Sequence, residues 1–281
     1  MIKKEEVLPL IKLAFDEDIK DGDHSSLSCI PNNKMGKAQL IVKDQGIIAG
    51  IELAEWIFES IDPSLFMEIK MNDGDKVKKG DIAFTVKGCS ISILTAERLV
   101  LNCMQRMSAI ATKTRDYVEL VKGTKTTILD TRKTTPGIRI LEKWAVKIGG
   151  GDNHRFGLFD MIMLKDNHID YAGGITKAID KAKKYLKEKN LNLKIEVEAR
   201  DLNEVKEIMT TIGVHRIMLD NFTPKDTIEA VKLINGKFET ESSGGITSST
   251  IRTYAECGVD FISVGALTHS IYNMDLSLKA Y

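Results

Sequence analysis

The chain has 281 residues, with 40 Lys and Arg against 40 Asp and Glu, 43% hydrophobic and 28% charged residues. This length holds one large α/β domain or a small domain plus a barrel, and the zero formal charge speaks against a nucleic-acid or membrane-surface binder. No run reaches the ~18 apolar residues of a membrane span, no signal-peptide core opens the chain, and Cys29, Cys89, Cys103 and Cys257 lie too far apart for a disulfide frame or zinc site, so the expected compartment is cytoplasmic.

The first ten residues mix acid with base and lead into a short amphipathic helix. Residues 37–48 and 67–71 alternate like half-buried strands, with a helix over 51–60 between them. N-D-G-D-K-V-K-K-G-D at 72–81 is turn-rich and precedes a strand, I-A-F-T-V. A lipoyl- or biotinyl-type carrier hairpin would need a lysine at its tip, whereas Lys78 and Lys79 adjoin Gly80. Ordinary sandwich turns explain the segment. Residues 94–122 form one long helical stretch with Leu99, Cys103, Met107, Ile110 and Tyr117 at helical spacing; Met104 and Met107 are core filler.

From about residue 126 strands and helices alternate. Strands are expected at 126–131, 160–165, 193–198, 215–220, 237–241 and 260–264, with helices at 138–148, 174–189, 201–211, 224–234 and 247–257. Such alternation makes parallel strands joined by crossover helices. Six strands rather than eight predict an incomplete α/β barrel.

Each of these strands ends in polar or glycine residues, and in a parallel barrel the carboxyl ends share one mouth. Asp130–Lys133, Lys165–His168, Glu196–Glu198, Asp220–Asn221, Ser242–Gly245 and Gly265 are therefore expected to converge. Arg132, Lys133, His154, Arg155, Lys165 and His168 concentrate positive and polar groups in a neutral chain, which suits a small, multiply charged anion. Glu196 and Glu198 share a strand face. Both point into the barrel or both toward the helices, with Lys194 or a cation from a neighbouring strand as partner for Glu196. Glu198 and Asp220 are candidates for ribose hydroxyls or a Mg²⁺ carried by pyrophosphate. The backbone after the last two strands, at Ser242, Ser243, Gly244 and Gly265, suits a phosphate monoester. His24, His215 and His269 are read as structural or solvated. No nucleotide-binding glycine fingerprint or Ser-His-Asp arrangement occurs.

D-T-R-K-T-T-P-G-I-R at 130–139, G-G-G-D-N-H-R at 149–155 and L-K-D-N-H-I at 164–169 resemble the signature segments of the quinolinate phosphoribosyltransferases. The resemblance extends to Glu97-Arg98 with the helix after it, E-V-E-A-R at 196–200, M-L-D-N at 218–221, S-S-G-G-I at 242–246 and S-V-G-A-L-T-H-S at 263–270. It implies an α/β sandwich-like domain over 1–108, a barrel over 109–270 and a tail, 271–281, returning to the first domain. It also implies a Mg²⁺-dependent transfer of phosphoribose from 5-phosphoribosyl-1-pyrophosphate (PRPP) to quinolinate with loss of CO₂, for the synthesis of NAD.

The implied substrate contacts are Arg98, Thr131, Arg132, Lys133, His154, Arg155, Lys165, Glu198, Asp220, Ser242, Ser243, Gly244 and Gly265. Lys133, Lys165, Glu198 and Asp220 are the ones nearest the chemistry. Arg98 is expected to act across a homodimer with shared sites, with a hexamer as the larger alternative. Two other readings stay open: the related enzyme associated with molybdenum uptake, and a barrel lyase using Lys165 as Schiff base or acid.

Overall fold

The computed structural model describes residues 2–281. The chain runs α1 (Lys4–Asp18), α2 (His24–Cys29), β1 (Met35–Val42), β2 (Gly46–Ile47), α3 (Ile51–Ile61), β3 (Phe66–Ile69), β4 (Lys76–Val77), β5 (Ile82–Cys89) and the long α4 (Ser90–Leu120). Next come β6 (Thr127–Leu129), α5 (Arg139–Gly149), β7 (Ile162–Leu164), α6 (Asp166–Ala172), α7 (Ile175–Lys189), β8 (Ile195–Ala199) and α8 (Leu202–Met209). The remainder is β9 (Arg216–Asp220), α9 (Pro224–Ile234), β10 (Glu239–Ser243), α10 (Ile251–Glu256), β11 (Phe261–Ser263), α11 (Ala266–His269) and β12 (Leu276–Ala280). No helix among the described residues is long and apolar enough to cross a membrane.

These elements form two compact units. One comprises the chain up to Arg115 together with Thr134–Gly150 and Ala266–Tyr281; the other comprises Asp116–Lys133 and Gly151–Gly265.

The first unit is built on an antiparallel sheet in the order β12-β1-β5-β3. Ala38, Leu40 and Val42 alternate inward from β1, as their period of two demands. The closing residues form the edge strand β12, in register from Ala38↔Ala280 to Val42↔Leu276. Residues 72–81 are turns around the short β4, with Gly74 and Gly80 both at positive φ.

Helix α4 runs unbroken through position 108/109. Side chains beyond that point still belong to the first unit: Thr112 Oγ1 accepts the Ile47 amide at 2.8 Å. Helix α5 also joins this unit. Its fully buried Glu142 takes two hydrogen bonds from Arg106, at 3.0 and 2.7 Å, and Trp144 stacks on Trp56. A buried carboxylate needs such a partner.

The second unit is a six-stranded parallel sheet in the order β6-β11-β10-β9-β8-β7. All five residues of β8 are buried, as expected for a strand covered on both faces. β6 and β7 lie at the two ends of this order, so the barrel is incomplete. Beside β6 runs the segment around Asp152, which donates to Ile128 O at 2.8 Å and accepts from the Asp130 amide at 3.1 Å. β10 starts two residues later than its hydrophobicity suggests, because its register with β9 pairs Glu239 with Arg216. Ser242 and Ser243 therefore end the strand rather than follow it.

Candidate active site

The site is assembled from the carboxyl ends of the second unit's strands. Past β6, Thr131 Oγ1 accepts the Lys133 amide at 3.0 Å, turning the chain so that Lys133 is exposed and Arg132 half-buried. The backbone pairing of Asp152 with β6 brings the D-N-H-R motif alongside. Asp130 Oδ1 then accepts the His154 amide at 2.8 Å. Arg155 follows, its Nη1 donating to Met161 O at 3.2 Å.

Burial, and after it the nearby charge of Arg132, pull the Arg155 guanidinium below its ordinary value. Two like charges held together and partly desolvated are unfavourable unless an anion joins them. Arg132 Nε is buried and has no hydrogen-bond partner among the described residues. A buried donor without an acceptor is costly in a finished structure, and is what a ligand carboxylate would satisfy.

His154 adjoins two buried glutamates. Its ring is buried, Nδ1 accepts the Arg155 amide at 2.7 Å, and Nε2 lies 3.0 Å from Glu196 Oε2 and 3.3 Å from Glu241 Oε2. Glu196 and Glu241 are both fully buried. Arg216 Nη1 donates to Glu241 Oε2 at 2.8 Å, while its guanidinium lies 3.9 Å from the centre of the Phe261 ring. The partner of Glu196 is therefore His154, with the charge of Arg216 from β9 close by, and Lys194 turns instead to Glu239 at 3.5 Å.

Burial would lower the His154 pKa, but the adjacent carboxylates of Glu196 and Glu241 outweigh it and raise it to about 9. An imidazolium, however, has no lone pair on Nδ1 with which to accept the Arg155 amide. The Arg155 amide thus favours the neutral ring, while the two carboxylates favour the charged one. Burial and the adjacent Glu241 push the Glu196 carboxyl up to about 7. The donor atoms of His154, Glu196 and Glu241 are close enough together to hold a metal ion. Arg216 already supplies the positive charge there, so the cluster is balanced without one.

Across the mouth, Lys165 Nζ donates to Glu198 Oε2 at 2.7 Å. Glu198 is buried and shares its face with Glu196, resolving the two orientations of β8 in favour of the side holding Arg216 and Glu241. His168 caps the short α6, its Nδ1 accepting the Lys165 amide at 3.0 Å. Asp220 ends β9 half-buried and accepts from Asn221 Nδ2 at 2.6 Å. Ser242 is buried, its Oγ without a hydrogen-bond partner among the described residues, and Ser243 O accepts the Asn221 amide at 2.8 Å. Gly244 and Gly245 follow at φ +94° and +60°, a geometry that lets successive amides face an anion. Gly265 ends the stretch after β11, half-buried.

Two family models account for nearly the whole chain: the N-terminal domain of quinolinate phosphoribosyl transferase over residues 23–108 and its C-terminal domain over 110–279. The chain belongs to the quinolinate phosphoribosyltransferase family. A quinolinate phosphoribosyltransferase [decarboxylating] of Nicotiana tabacum is 48% identical across 96% of this chain and 81% of its own length. A chloroplastic nicotinate-nucleotide pyrophosphorylase [carboxylating] of Arabidopsis thaliana is also 48% identical, with the same coverage. The solved nicotinate-nucleotide pyrophosphorylase of Francisella tularensis superposes with a TM-score of 0.92 at 39% identity, covering 100% of this chain and 98% of that one.

Within this family member, the second unit brings together Thr131–Lys133, Arg155, Lys165, Glu198, Asp220 and the glycine turn. Arg98 is exposed on α4 in the first unit. Arg216 and Glu241 were not foreseen. Alternation along R-I-M-L-D and E-T-E-S-S places both on the inner face, a signal obscured by the two-residue shift of β10.

Proposed function

We propose that the protein is a quinolinate phosphoribosyltransferase, forming nicotinate mononucleotide, pyrophosphate and CO₂ from quinolinate and PRPP. The observation that carries this reading is the Arg132–Arg155 pair, with a buried guanidinium donor awaiting an acceptor. Quinolinate is a planar dianion, and two guanidiniums grip carboxylates through paired hydrogen bonds. Lys165 stands at the same mouth, on the neighbouring side of Glu198.

PRPP brings a 5-phosphate, suited to the backbone at Ser243–Gly245 and Gly265, and a pyrophosphate for Lys133. Glu198 and Asp220 offer hard oxygen donors that fit Mg²⁺; when bound with PRPP, the ion would neutralise pyrophosphate charge. As pyrophosphate departs, the ribose becomes oxocarbenium-like, and the carboxylates of Glu198 and Asp220 favour that charge. The pyridine nitrogen attacks C1 without a covalent enzyme intermediate, so positioning supplies much of the rate. The alkylated ring is then cationic and accepts the electron pair left when the adjacent carboxylate departs as CO₂. Arg98 completes the site from a second subunit of a symmetric dimer, and the four free cysteines suit a cytoplasmic setting. Against a Schiff-base lyase, Lys165 is held by a carboxylate rather than by an apolar pocket.

A PRPP-dependent assay following loss of quinolinate and appearance of nicotinate mononucleotide tests the proposal. Nicotinate should not replace quinolinate, because the second carboxylate is what the paired arginines recognise. Comparable turnover with nicotinate would show the assignment to be wrong.

A further inference from the structure

Among the described residues, four other than glycine adopt a positive φ: Lys20, Asn190, Asn221 and Asn235. Asn190 and Asn235 cap the carboxyl ends of α7 and α9, and Lys20 follows the last turn of α1. A left-handed residue is an ordinary way to stop a helix. Asn221, at φ +56°, follows a strand instead, directly after Asp220 at the mouth. A left-handed residue that carries a Cβ is disfavoured, and persists where local hydrogen bonds and surrounding contacts hold it. Three contacts do so here. The Asn221 amide donates to Ser243 O at 2.8 Å. Its side-chain Nδ2 donates to Asp220 Oδ2 at 2.6 Å. The same side chain fills the space that a Cβ on Gly244 would need.

One residue thus touches both the carboxylate that serves the ribose end of PRPP and the turn that serves its 5-phosphate. With Oδ2 of Asp220 engaged by Asn221, Oδ1 is left for a ligand, and the carboxylate is held in one orientation. We infer that Asn221 is a positioning residue for PRPP: anchored on the phosphate turn, it holds the Asp220 carboxylate at a fixed place relative to that turn. The ribose and the 5-phosphate are covalently joined, so their two subsites must keep a matching separation, and small misplacements at a reacting centre are costly. The inference rests on Asp220 and the turn receiving PRPP. Asn221 acts through Asp220.

Asn221→Gly tests it, because glycine keeps the left-handed backbone and the bond to Ser243 while removing the side chain. Calorimetric titration in the presence of Mg²⁺ should show PRPP binding weakened about tenfold and quinolinate binding changed by less than about twofold. The urea unfolding midpoint should stay close to that of wild type. In an Asp220→Ala background the same substitution should alter PRPP binding by less than about twofold, because the group that Asn221 holds has gone. Equal weakening of both ligands, unchanged PRPP binding in Asn221→Gly, or an undiminished tenfold loss without Asp220 would each overturn the inference.

Proton NMR of the Asn221 side-chain amide gives a readout that needs no ligand. The Nδ2 proton bonded to Asp220 should resonate downfield in the wild type and return upfield in Asp220→Ala. An amide indifferent to Asp220→Ala would overturn the inference whatever the binding data. A wild type that does not bind PRPP at all would instead defeat the functional reading on which the inference rests, whereas PRPP binding by wild type with any of the contrary results above defeats the inference alone.

Discussion

Nζ of Lys165, at the end of β7, lies 2.7 Å from Oε2 of Glu198, near the end of β8. The lysine side chain is 45% exposed and the glutamate 8%, so the carboxylate depends on this ion pair more than the ammonium does. If Lys165 binds quinolinate and Glu198 serves PRPP, each group neutralises the other until the substrates arrive.

Lys165→Ala should therefore cost about 2–5 kcal/mol in kcat/KM, the range for leaving one charge of a buried pair unpartnered. Glu198→Gln should act in opposite directions on binding and turnover. Without PRPP, quinolinate should bind about three- to tenfold more tightly because Lys165 is released, while turnover falls. Calorimetric titration decides it. Unchanged or weaker quinolinate binding in Glu198→Gln would mean that the pair does not compete with the substrate.

The turn after β10 should tolerate no side chain at Gly244. Its φ is +94°, and an added Cβ would collide with the Asn221 side chain and lie 2.9 Å from its amide nitrogen. Gly244→Ala should lose about 1–3 kcal/mol in urea unfolding. Gly245→Ala, at φ +60° with open space around it, should lose about 1 kcal/mol. Gly265→Val should weaken PRPP more than quinolinate; equal loss of both would place the phosphate elsewhere.

Asp260 should govern part of the acid stability. Burial alone would raise its pKa, but Lys125 at 2.7 Å and the amide and hydroxyl of Thr240, each at 2.8 Å, hold it below the usual carboxylate range. A folded pKa below the unfolded value of about 3.9 gives stability that is present above about pH 4. That stability is lost as pH falls through the folded value. Asp260→Asn should be less stable than wild type at neutral pH, with the gap narrowing in acid. A gap that is constant between pH 7 and pH 3 would contradict the sign.

Arg98 can be assigned to its own or a partner's site by mixing. Arg98→Ala and Lys165→Ala should each be nearly inactive alone. After random subunit exchange, half of the dimers carry one intact site, and about a quarter of wild-type activity should return by two-fold symmetry. No recovery after verified exchange would place Arg98 in its own subunit's site or deny the shared dimer.

The six parallel strands and most of their connecting helices were legible in the sequence because buried strands separated by amphipathic helices have a periodicity of their own. The mouth was legible for a related reason: parallel topology brings every carboxyl end to one side, so Lys165, Glu198 and Asp220 converge whatever their separation. Periodicity carries no information about a strand made by its partner, which is why β12 and the start of β10 follow their register with β1 and β9 instead. Nor does it say which way a histidine turns. The parallel pairing of Asp152 beside β6 brings the His154 ring to Glu196 and Glu241. That choice depends on hydrogen bonds between segments far apart in the chain, and only the tertiary structure could make it.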